Sequence, residues 1–161
     1  MPEVLAPDEI ALQTKQKRQI KNQIALDNPP EILRHAVEDW GGRHPNAHLR
    51  SITSTYNCIG LVVASRRALV DPDQLMLALT DDGYRQIVLN EVRPGDVVIY
   101  RRNGRIQHAG IVVNLGQVEA QPRLVLCSKW GEAGEYVHEI DDVPTIYGQA
   151  TEYWTDRKTL G

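Results

Sequence analysis

A chain of 161 residues is one domain's length and too short for two ordinary ones. Hydrophobic residues make up 42% and charged residues 24%, with 12 Gly and 9 Pro, which excludes disordered, collagen-like and fibrous classes. Eighteen basic against 21 acidic residues give a formal net charge of −3, the wrong sign for a general nucleic-acid binder.

At roughly 150 residues a domain buries about 68–70% of its unfolded surface, so no metal or disulfide staple is required. Residues 8–26 are predicted as a weakly amphipathic helix, with Ile10, Ile20, Ile24 and Leu26 near one stripe. Pro29-Pro30 stops it, and a second helix fits 31–40 before Gly41-Gly42. Residues 41–56 read as loop. The expected organisation is therefore a helical N-terminal extension, 1–40, on a main domain, 41–161, with a mobile arm as the alternative. From Asn57 the run 58–64 is almost continuously apolar, and Thr53-Ser54-Thr55-Tyr56-Asn57 offers N-caps, which favours a helix start. Asp71-Pro72 opens a helix through Leu75, Met76 and Leu79, and Asp82-Gly83 ends it. The rest is β. Pro94-Gly95-Asp96 turns into a strand at 97–100, Asn103-Gly104 is a hairpin signal, and 106–113 returns. Strands follow at 123–128, 135–140 and 150–154, separated by turns at Gly116, Gly131-Glu132 and Asp141-Asp142. Helices followed by an antiparallel meander define an α+β class.

Nothing approaches the roughly 18 consecutive apolar residues of a transmembrane helix. The start, Met1-Pro2-Glu3-Val4-Leu5, is not a secretory signal. A cytoplasmic protein is expected, or one exported without a signal peptide by a specialised secretion system. Two cysteines, Cys58 and Cys127, suit a reducing compartment.

Cys58 is the candidate nucleophile. A thiol at a helix start meets unpaired N–H groups, which should lower its pKa below about 8.5 and can also bind an oxyanion. The plain alternative is a buried, inert cysteine. His108 is its candidate partner. A two-residue turn at Asn103-Gly104 pairs Ile99 with His108 and puts His108 on one face with Ile106, Gly110 and Val112. There it could act as general base or as imidazolium partner. The plain alternative is a satisfied core histidine.

Tyr56-Asn57-Cys58-Ile59-Gly60-Leu61-Val62 resembles the nucleophile motif of NlpC-type papain-like cysteine peptidases, which typically read Asp-Cys-Ser-Gly-Leu-Val. Arg93-Pro94-Gly95-Asp96-Val97-Val98-Ile99-Tyr100 looks like their Pro-Gly-Asp strand, and His108-Ala109-Gly110-Ile111-Val112 like their catalytic-histidine strand. The related CHAP-type amidases share the layout. The likeness covers residues 54–130, with Cys58 and His108 separated by 50 residues. It implies a papain-like α+β fold in which a nucleophile helix packs on an antiparallel meander. It also implies a thiol hydrolase acting on an amide or peptide bond, such as a peptidoglycan peptide or the target of a bacterial effector, with an inhibitor or immunity protein as a further partner. No cofactor, nucleic acid or membrane partner is expected. The third catalytic member departs from the family, because 124–130 holds no Asn, Asp, Glu or His. Ser128 is the first positional candidate and His138 the second. Ser-Lys-Trp-Gly followed by His138 also resembles a signature of uncharacterised bacterial papain-like domains. Papain's Gln six residues before the cysteine is Ile52 here, so the oxyanion hole falls to the Cys58 N–H and something near Tyr56 or Asn57. A degenerate, non-catalytic binding or immunity module is the rival reading.

The remaining candidates read more plainly. His44 and His48, with His35 upstream, have a metal-like spacing, but Pro45 lies between them. Arg101, Arg102 and Arg105 crowd a hairpin tip and could hold an acidic group, although a solvated tip is the simpler reading. Asp96 suits a turn. Trp130 is divided between a substrate groove and the core. Cys127 reads as core.

Overall fold

The computed structural model describes residues 5–118, 120–131 and 133–159. Its elements run α1 (Pro30–Arg43), β1 (His48–Ile52), α2 (Cys58–Val63), α3 (Leu75–Asp81), β2 (Arg85–Ile87), β3 (Val97–Arg102), β4 (Arg105–Val118), β5 (Gln121–Trp130), β6 (Gly134–Glu139) and β7 (Gln149–Thr155). All seven strands form one sheet in the order β1-β6-β5-β4-β3-β7-β2. Every neighbouring pair is antiparallel.

This corrects the expected papain-like layering with a helical N-terminal extension. The sheet dominates, α2 and α3 have only six and seven residues, and residues 5–28 contain no helix. The physical reason lies in the polar middle of that segment. Gln19 accepts from Leu12 N–H and donates to Ile10 C=O, and Asn22 accepts from Ile10 N–H, so side chains satisfy backbone groups that a helix would pair. Lys17 turns the chain at a φ of 63°, and Gln13 bridges to Gln19. Of the supposed apolar stripe, Ile20 is buried while Ile24 and Leu26 are exposed. Thr14 donates to the Asp81 carboxylate at 2.7 Å and Arg18 pairs with it, which ties the segment to the end of α3. Residues 1–4 of the expected extension, and Glu132 of the expected turn, lie outside the described residues.

α1 covers the expected second helix but continues through Gly41-Gly42. His44 N–H still bonds to Trp40 C=O, and Trp40 packs edge-on against Trp130. The expected loop 41–56 contains β1, paired with β6. Asp96 is fully buried and accepts from Arg93 N–H, Thr155 Oγ1 and Arg157, so it closes both its own turn and the end of β7.

The β3–β4 hairpin forms where expected, with Asn103 and Gly104 both at positive φ, 53° and 76°. Its register differs by one residue. Arg101 pairs with Ile106 but Tyr100 pairs with His108, so Gln107 is a bulge. Beyond the bulge, Val97, Ile99 and Ala109 face α2 and α3, packing on Ile59, Leu75 and Leu79. Val98, Tyr100, Val112, Leu126, Trp130 and Tyr136 face the opposite way, toward Trp40 and the turn that carries Tyr147.

Cross-strand pairing sets Glu135 of β6 opposite Lys129 of β5. Both are buried. The Glu135 carboxylate accepts from Tyr56 Oη at 2.5 Å, from Arg66 Nε at 2.7 Å and from Cys127 Sγ at 3.4 Å, and Arg50 Nε lies 3.3 Å away. Burial pushes its pKa up, but these partners outweigh burial and hold it below the usual carboxylate range. Glu135→Ala would strand the Tyr56 hydroxyl and Arg66. A loss of about 2–4 kcal/mol is expected, toward the low end for a broken buried pair because both arginines are half exposed. Urea unfolding checks this, and a loss below about 1 kcal/mol would show that the cluster contributes little.

Candidate active site

The sequence-predicted residues gather where the start of α2 meets β4 and β5, but they divide into two groups. Cys58 is the first residue of α2. Asn57 is its N-cap, accepting from Gly60 N–H at 2.9 Å and Val70 N–H at 3.1 Å and donating to Val70 C=O at 2.8 Å. These bonds occupy the Asn57 amide, so it braces the loop rather than an oxyanion. Gly60 has a steric role, since a Cβ there would sit 2.0 Å from Ala68 O. Tyr56 is buried with its hydroxyl on Glu135, which removes it from any substrate groove.

Cys58 is half-buried and free, and it packs with the cluster that contains Ala109. Burial raises its thiol pKa above the usual value, while the backbone amides of Ala109, Ile59 and Cys58 itself, followed by the Lys129 charge, pull the other way. The expected lowering does not occur. A six-residue helix offers little dipole, and desolvation of the thiolate wins.

His108 is fully buried on the other face of β4 from its neighbour Ala109. Its ring stacks on Tyr147 at 4.1 Å with the planes 4° apart, and it lies 5.2 Å from the Tyr100 ring. Both ring nitrogens lack a hydrogen-bond partner among the described residues, so no hydrogen bond joins His108 to Cys58, Ser128 or His138. Its pKa falls well below the usual imidazole value, first because burial disfavours imidazolium and then because His138 would add a like charge.

Ser128 and His138 meet each other instead. His138 Nδ1 lies 2.6 Å from Glu139 C=O, which can only accept, so Nδ1 carries the proton. Ser128 Oγ–H then donates to Nε2 at 2.6 Å and accepts from Trp130 Nε1–H at 3.0 Å. Ser128 thus orients His138 rather than His108. Trp130 is fully buried, stacked on Tyr136 at 4.2 Å, and belongs to the core rather than to a groove. His44 sits 2.7 Å from Asp142 and edge-on to Trp130, while His48 is exposed on β1. Among the described residues no cluster of three or more His, Cys, Asp or Glu side chains could hold a metal. Arg101 pairs with Glu152 beside the hairpin tip.

Three residues escaped the sequence reading. Lys129 and Glu135 carried a signal, since opposite charges at paired positions flank the turn at Gly131. Tyr147, in the turn before β7, carried none, because its place depends on long-range docking. Its hydroxyl accepts from Gly131 N–H at 2.8 Å. Burial, and then the Cys58 thiolate, raise its pKa.

Residues 48–155 match DUF7689, a domain of unknown function, and the chain belongs to that family. The match runs from the first residue of β1 to the last of β7 and so takes in the whole sheet. No curated protein and no solved structure matches the chain. No helix among the described residues is long and apolar enough to cross a membrane.

The histidines should set acid stability. His138 is pushed down to about 4 by burial, and His108 lies lower than its usual value too. Both are depressed in the fold, so the unfolded chain takes up their protons first. Stability is full above about pH 6.5 and falls as pH drops from there toward 4. His138 alone should cost about 2–3 kcal/mol by pH 4.5, and His108 adds to it in the same direction. This lies above the pH range in which Asp81, held at about 2, begins to matter. Chemical denaturation between pH 7 and 4.5 checks this, with His138→Gln flattening part of the slope. A flat wild-type profile would contradict it.

Proposed function

We propose that the protein is a thiol hydrolase that cleaves an amide or peptide bond through Cys58 and His108. The observation that carries this reading is a partly buried thiol bearing on the amide of Ala109, whose strand neighbour His108 is a buried imidazole with neither nitrogen hydrogen-bonded among the described residues. A raised thiol and a depressed imidazole make the resting pair neutral rather than ionic. On attack, Sγ bonds to the carbonyl carbon, the thiol proton passes by way of a water to His108, because no hydrogen bond joins the two side chains, and the carbonyl electrons move onto oxygen. The Cys58 and Ile59 N–H groups are the donors nearest that oxygen. Collapse expels the amine, which takes the proton from His108 and leaves a thioester. Water then attacks the thioester, giving its proton to His108, and the carboxylic acid leaves as Cys58 regains a proton.

The likeness of three segments to NlpC-type peptidases supports a cell-wall peptide as substrate class and an inhibitor or immunity protein as partner. We take it as a likeness of site motifs, not of whole-chain architecture. Two free cysteines suit action in the cytoplasm. A non-catalytic binding or immunity module is the second reading, favoured by the lack of a hydrogen bond between Cys58 and His108.

Soluble muropeptides incubated with the protein and read by mass spectrometry test the proposal. Cys58→Ala should abolish product at a stability cost of about 1–2 kcal/mol, and His108→Ala should lower turnover at least about 10²-fold. Equal product from Cys58→Ala overturns the enzyme reading. A wild-type protein inert on every peptide favours the binding module. The neutral pair makes a second expectation. Iodoacetamide should alkylate Cys58 appreciably only above the usual thiol range, and kcat/KM should show no acid limb near pH 6.5. Fast alkylation at pH 7 would mean a preformed thiolate.

A further inference from the structure

We propose that Tyr147 is the positioning residue of the site, holding the His108 imidazole by face-to-face stacking in the role expected of a hydrogen-bonding side chain on the next strand. This rests on the hydrolase reading for its functional meaning, but the contact itself is independent of it. An imidazole with no hydrogen bond on either nitrogen has nothing polar to fix its χ2 angle. Its orientation must come from packing. Ser128 and His138, the residues best placed to orient it by hydrogen bonding, are bonded to each other. Tyr147 supplies a plane 4.1 Å away and within 4° of parallel, and Tyr100 closes in at 5.2 Å and 60°.

Tyr147 is itself anchored. The Gly131 N–H bond holds its hydroxyl at the end of β5. Gly148 next to it has a φ of 76° and packs so closely that a Cβ would lie 2.1 Å from Arg101 O, which fixes the turn against β3. The titratable groups around His108 are Tyr100 from β3, His138 from β6 and Tyr147 from the turn. Stacking occupies neither nitrogen, whereas a hydrogen-bonding partner would occupy one.

The test uses the full chain with Tyr147→Phe and Tyr147→Leu. Imidazole resonances of His108 are followed by NMR against pH, alongside kcat and KM on whatever amide substrate is turned over. Tyr147→Leu should move the His108 titration up toward 6.5 and lower kcat about tenfold or more with KM little changed. Tyr147→Phe keeps the stacked ring and should keep both close to wild type. An unchanged His108 titration in Tyr147→Leu overturns the proposal whether or not the chain is an enzyme. A shifted titration without any wild-type turnover supports the positioning contact and fails only the hydrolase reading. Should Tyr147→Leu fail to fold, the wild-type protein decides. Cross-relaxation between the Tyr147 and His108 ring protons, with upfield-shifted imidazole signals, supports the stack, and their absence overturns it.

Discussion

β4 carries one more residue than β3 between the Arg101–Ile106 and Tyr100–His108 pairs, and the whole site depends on where that residue goes. Side chains alternate along a strand, so a single bulge exchanges the faces of everything beyond it. With Gln107 bulged, Ile106 packs with the cluster of Cys58 and Ala109, while His108 turns to Tyr100 and Tyr147. Without it, His108 would pair with Ile99, and the imidazole would lie among the aliphatic side chains under α2. The bulge therefore sets a histidine in an aromatic chamber and leaves the small Ala109 beneath the thiol, where a larger side chain would push α2 away.

The two faces of the sheet keep polar groups in the core by different physics. On the helix-facing side, Glu135 is charged and survives burial because Arg66, Arg50 and Tyr56 converge on it. On the other side the polar groups are neutral. His138 is locked in one tautomer between Ser128 and a carbonyl, with Trp130 completing the chain of donors. His108 has no such chain, and its desolvation is the unpaid part of the arrangement. An unsatisfied buried group of this kind costs about 1–3 kcal/mol.

Much of the strand layout was legible in the sequence because it is local. Asn103-Gly104 dictates its hairpin, and the runs at 106–113, 123–128 and 135–140 mark β4, β5 and β6, although β4 continues through the expected turn at Gly116, which pairs with Arg123. Asp71-Pro72 opens a 3₁₀ turn over Pro72–Gln74, capped by the Asp71 carboxylate accepting from Asp73 N–H, and this runs into α3 at Leu75. The N-terminal stretch misled because a few isoleucines at helical spacing outweighed the polar side chains between them, and those side chains bond the backbone directly. β1 was invisible because Leu49 and Ile52 are exposed on an edge strand, with no apolar alternation to mark it. Of the candidate site, the placing of Cys58 at a helix start and of His108 on a strand was legible. The site was not legible at the level of register, where one bulged residue decides the face.

Restoring an ion pair between Cys58 and His108 would require stabilising imidazolium in a place where burial and His138 both oppose it. No carboxylate bonds the ring to offset that. On the hydrolase reading, the pair passes a proton at the moment of attack rather than storing it beforehand. In such a pair the imidazole's geometry matters more than its basicity, because a weak base helps only while its nitrogen stays aimed at the thiol. On that reading aromatic stacking takes the place of a hydrogen-bonding partner. It constrains the plane of the ring without occupying either nitrogen and without adding charge to a site that cannot solvate it.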